Sequence, residues 1–207
     1  DTIDNSTVSL KATPSAAEGG NVTYTATVTA PVTGSPVVVT LANGEKITIP
    51  VGETTGSVSI SAPNDVLVGH TPLTNSITNV SGGNYENLVA DKTPVSTTVT
   101  DTVDTTSVSL TATGTVAEGG QITYTATLTN AAGTPVTVTL SNGSVIHIEA
   151  GKTTGTVTVA APADDVYIDA GKVNATITNA TGGNFEKLVP NTTPAVTNVT
   201  DTLDTTS

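Results

Sequence analysis

The chain has 207 residues, a formal net charge of −12, and no Cys, Met or Trp. The lack of Cys excludes disulfides and thiol-based zinc, iron–sulfur and redox chemistry, and the acidity makes nucleic acid and anionic membrane surfaces poor partners. Its apolar content is mostly Val, Ala, Ile and Leu alongside abundant Thr, the composition of strands rather than helices, and no apolar run approaches the roughly 20 residues that insertion into a membrane needs.

Self-similarity organises the rest. The stretch DTIDNSTVSLKATPSAAEGGNVTYTATVT from Asp1 returns from Asp101 as DTVDTTSVSLTATGTVAEGGQITYTATLT, and DTLDTTS from Asp201 opens a third copy. SGGNYENLV from Ser81 likewise returns as TGGNFEKLV from Thr181. The expected domains are 1–103 and 104–207, with 201–207 starting the next repeat, and the expectation is a piece of a longer repetitive protein. The unit is far longer than a solenoid repeat of about 20–50 residues and long enough to fold alone.

In chain order through the second copy, alternation of apolar and polar residues marks the strands. The first carries Val108 and Leu110, and the second Ile122, Tyr124, Ala126 and Leu128. The third carries Val136, Val138 and Leu140, then Asn142-Gly143 signals a hairpin turn. Ile146 and Ile148 mark the fourth strand, Val157 and Val159 the fifth, and Val173, Ala175 and Ile177 the sixth. The seventh runs from about Ala195 to Thr200. About seven short strands with regular turns indicate an all-β, Ig-like sandwich in each of two tandem domains. With four Tyr and one Phe, each core is built of small side chains, whose burial leaves a thin margin over chain entropy. A metal would supplement it.

If every strand reverses direction, the acids gather at one end. Glu118, Asp164, Asp165, Asp169, Asp201 and Asp204 all fall on far-end segments of the second copy, and Glu18, Asp65, Asp101 and Asp104 on those of the first. Like charges brought together repel, and a hard cation accepting 6–8 oxygen ligands compensates them. Calcium is the expected ion, since the ligands are oxygens on loops and no His or Cys set suits a transition metal. Asn64 and Gly69 stand where the second copy has Asp164 and Asp169, so the first copy is expected to bind more weakly or hold fewer ions.

The motifs TVSL/SVSL, AEGG, VTYTAT/ITYTAT, APADDVY, GGNFE and DTVDTT resemble the extender repeats of giant bacterial biofilm adhesins of the LapA type, over the whole chain and twice. The chain also resembles, more distantly, the Calx-β fold, whose early Glu, Asp-rich loop and C-terminal Asp pair form calcium sites. That pattern falls on Glu118, Asp164, Asp165, Asp169, Asp201 and Asp204. The resemblance implies type I secretion, anchoring at the bacterial outer membrane facing the exterior, and extension stiffened by calcium, with neighbouring repeats of the same chain as partners.

The leading expectation is therefore a structural extender. The alternative is an adhesive module that grips a glycan or protein directly, which would need an aromatic patch or polar groove that so few aromatics hardly supply. Weak homophilic contacts between chains stay open. An enzyme is not expected, since no Ser/His/Asp pattern or G-x-S-x-G elbow occurs. His147, between Ile146 and Ile148, reads as outward-facing, and His70 as a surface residue of a diverged loop. Tyr24 and Tyr124 are in phase with the core.

Overall fold

The computed structural model describes residues 3–165, 167 and 171–202. The chain divides into two compact units, one comprising Asp1–Asp65 and Gly69–Thr102, the other Val66–Val68 and Val103–Ser207. Both are all-β.

Unit 1 contains ten strands: β1 (Asn5–Ala12), β2 (Ser15–Ala17), β3 (Asn21–Val28), β4 (Val37–Leu41), β5 (Lys46–Ile49), β6 (Thr55–Ser61), β7 (Leu73–Asn75), β8 (Ile77–Ser81), β9 (Asn87–Ala90) and β10 (Val95–Thr100). One sheet has the order β6-β3-β1-β9. The other face is built from two ladders, β5-β4-β8 and β2-β10-β7, joined because β7 and β8 are consecutive pieces of one strand interrupted at Ser76.

Unit 2 repeats this order as β11 (Thr105–Ala112), β12 (Thr115–Ala117), β13 (Gln121–Leu128), β14 (Val136–Leu140), β15 (Val145–Ile148), β16 (Thr154–Ala160), β17 (Gly171–Ala175), β18 (Ile177–Gly182), β19 (Lys187–Pro190) and β20 (Ala195–Thr200). Its ladders, β16-β13-β11-β19, β15-β14-β18 and β12-β20-β17, match those of unit 1. Each unit is an Ig-like sandwich.

Period-two patterning explains the packing. On β3, Val22, Tyr24, Ala26 and Val28 are buried, while the Thr residues between them are half-exposed. On β14, Val136, Val138 and Leu140 point inward and meet Ile146 and Ile148 of β15. Tyr24 and Tyr124 are core residues, and His147 is exposed on β15 as its position between two inward Ile residues requires. In unit 2, Phe185 joins the core, and Val66 and Leu67, which group with this unit, pack against it.

The count of ten strands, rather than about seven, has a local cause. The first strand breaks after Ala12 and crosses from the first sheet to the second as β2. The last strand starts earlier than alternation suggests. Its opening piece β9 pairs in parallel with β1, and its continuation β10 pairs in parallel with β2. First and last strands thus switch sheets side by side. The four residues of β9 carry too short an alternation to announce a strand.

Candidate metal centre

In unit 1 the end of the sandwich reached by β2, β6 and β10 is stitched together by the Ala17-Glu18-Gly19-Gly20 turn. Gly19 adopts a φ of 64°, a left-handed conformation open to glycine, and the Gly20 N–H donates to Ala17 O at 2.9 Å. A Cβ on Gly20 would lie 2.8 Å from that same oxygen, so the turn excludes a side chain there. The Glu18 N–H donates to Thr100 O at 3.0 Å and the Gly19 N–H to Pro63 O at 3.3 Å. The turn is thereby tied both to the end of β10 and to the loop after β6.

These ties bring the acids of three segments together. The Glu18 side chain is fully buried, and burying a carboxylate is costly unless donors replace its water. It accepts from the Asp65 N–H at 3.1 Å, the Thr102 N–H at 2.8 Å and the Thr102 hydroxyl at 3.2 Å, and it pairs with Nε2 of His70. Asp101 accepts the Gly69 N–H at 2.8 Å and has its other oxygen 3.8 Å from His70 Nε2. Glu18, Asp65 and His70 each offer an atom lying within 4.8 Å of those of the other two, and Glu18 and Asp101 also offer oxygens within that distance of one another. The bond to Glu18 raises the His70 pKa above its ordinary value, against desolvation, with the charges of Glu18, Asp65 and Asp101 adding to the rise.

Unit 2 builds the same end with different chemistry. The Glu118 N–H donates to Thr200 O at 3.1 Å and the Gly119 N–H to Pro162 O at 2.7 Å, so buried Glu118 sits between the chain leading to Asp164 and the chain leading to Asp201. The Thr202 hydroxyl bonds Asp164. Asp165 accepts the Tyr167 N–H at 2.8 Å, closing its own loop. Asp169 and Asp204 lie outside the described residues. Asp104 belongs to unit 2, where its N–H donates to Glu186 at 2.6 Å, and Asp4 makes the same bond to Glu86 in unit 1 at 2.7 Å.

Two features escaped the sequence reading. His70 is not a surface histidine, since its side chain is only 9% exposed and faces Glu18. Its loop has no alternation to orient it, and the only signal was the exchange of Asp169-Ala170 for Gly69-His70 between copies. Glu86 and Glu186 stood only inside the quoted repeat motifs with no role assigned, although an acid recurs there in both copies.

A β-sandwich with acid-bearing loops collected at one end, present twice in tandem, defines a repeat module. The chain belongs to the LapA domain family, which matches residues 4–102 and again 104–202. Membership makes it a repeat module of a bacterial cell-surface adhesin, a structural class of domain. No curated protein matches the chain. No helix among the described residues is long and apolar enough to cross a membrane.

Proposed function

We propose that the chain is an extender segment of the adhesin, holding a distal adhesive domain away from a cell to which the protein is anchored at the outer membrane after type I secretion. Calcium bound by the acidic end of each domain stiffens the joint to the next. The observation that carries the calcium reading is that Asp65 and Asp101, from separate segments of one unit, each offer an oxygen within 4.8 Å of one of Glu18, which sits on a turn whose backbone is fixed. Such oxygen-rich, loop-built ligand sets suit Ca²⁺ better than Mg²⁺, which demands stricter octahedral geometry. Glu118, Asp164, Asp165, Asp169, Asp201 and Asp204 are the proposed ligands of unit 2, and Asp104 a contributor from the linker. Extracellular calcium modules bind at about 10⁻⁴–10⁻³ M.

Small-angle scattering with calcium, then with chelator, tests this. The expected result is a longer, stiffer particle with calcium. Substituting Asp101→Ala together with Asp104→Ala should abolish the difference while both sandwiches stay folded. Dimensions indifferent to calcium in the parent chain overturn the mechanism.

A further inference from the structure

His70 gives unit 1 a donor that a calcium site does not use. We propose that Glu18, Asp65, His70 and Asp101 form a site for a borderline divalent cation of the zinc class, so that the two units of this chain differ in metal preference. The proposal goes beyond the calcium reading and does not require it: the carboxylates of unit 1 accept either ion, and His70 tips their preference toward zinc.

The donors are one imidazole nitrogen and carboxylate oxygens, a set that suits zinc, whereas calcium takes oxygen alone. Zinc bonds to His nitrogen and carboxylate oxygen at about 2.0–2.2 Å, which places neighbouring ligands of a tetrahedron roughly 3.3–3.6 Å apart. His70 Nε2 already lies 3.8 Å from an Asp101 oxygen, and Glu18, Asp65 and His70 offer atoms within 4.8 Å of one another. Asp65 and Asp101 are thus each within reach of the Glu18–His70 pair.

The imidazole is placed rather than free. Its side chain is nine-tenths covered, Nε2 is turned into the carboxylates, and the preceding Gly69 N–H is held by Asp101 at 2.8 Å. Glu18 is held in turn by the Asp65 and Thr102 N–H groups, the kind of outer support that orients metal ligands. The corresponding loop of unit 2 has Ala170 at this position, so its acids lack the nitrogen. His147, the other histidine, is exposed on β15 beside Thr137 and serves as the control.

The test is zinc titration of the whole chain against a chromophoric chelator, with parallel titrations of His70→Gln and His147→Gln and circular dichroism confirming the fold of each. The parent should bind one zinc ion that His70→Gln weakens by more than about tenfold and His147→Gln leaves unchanged. Cobalt in place of zinc should give the visible absorption of a four-coordinate centre in the parent and not in His70→Gln. No zinc binding by the parent, or equal binding by His70→Gln, overturns the proposal. Calcium titrated on the parent separates the two readings. Zinc bound without calcium sinks the calcium reading alone, and calcium bound without zinc sinks this one alone.

Discussion

Thr97 and Thr197 occupy equivalent, fully buried positions, yet their hydroxyls fare differently. Thr97 donates to Thr13 O at 2.6 Å, while the Thr197 hydroxyl has no hydrogen-bond partner among the described residues. An orphaned buried hydroxyl costs about 1–3 kcal/mol and a satisfied one contributes about 1 kcal/mol. Thr197→Val is therefore expected to leave unit 2 as stable or more stable, and Thr97→Val to destabilise unit 1 by about 1 kcal/mol. Hydrogen exchange resolved by residue in each unit would read this, and equal losses in both variants would refute it. His70 supplies a pH dependence. Its folded pKa is raised by the bond to Glu18, so folding takes up a proton in that range. In chelator-treated protein the resulting stabilisation is full below its ordinary value of 6.5 and fades as pH rises through the raised folded value. The stability of unit 1 should fall over that interval on titration upward, and His70→Gln should flatten the profile.

Among the elements, β3 and β13 were the most legible, because Val22-Tyr24-Ala26-Val28 and Ile122-Tyr124-Ala126-Leu128 alternate over eight residues with one face wholly buried. The tightness of the Gly182-Gly183 turn comes from tertiary contact. Gly182 has a φ of 95°, and a Cβ there would stand 2.2 Å from Pro135 O, just before β14. Gly182→Ala is expected to destabilise unit 2 by about 2–3 kcal/mol, through backbone strain and a clash with main chain. A melting transition of unit 2 unchanged by this substitution would contradict that. The parallel strands β9 and β19 could not be read beforehand, since four residues ending at Ala90 or Pro190 give little periodicity and their partners lie more than eighty residues away in sequence. The acidic end was legible from strand order alone, because alternation of direction sends the Glu18 turn, the Asp65 loop and Asp101 to the same place. His70 was not, since a loop residue's orientation is set by the backbone around it, here the bond from Gly69 to Asp101.

At the scale of the whole molecule, two copies of one unit carry nearly the same framework and different residues at the acid-bearing end, so the repeat changes its chemistry there without altering its fold. The parallel pairing of first and last strands has a mechanical consequence. The chain enters each unit through β1 or β11 and leaves through β10 or β20, and within each of the ladders β1–β9 and β2–β10 the two strands run parallel. Tension applied to the two chain ends therefore loads these hydrogen bonds in shear, all at once, instead of peeling them apart singly. Ala16→Pro, placed within β2 where a ladder donor would be lost, should lower the rupture force of unit 1 in single-molecule pulling and leave that of unit 2 unchanged. A domain wired in this way resists a pull on its two ends by sharing the load across a whole seam.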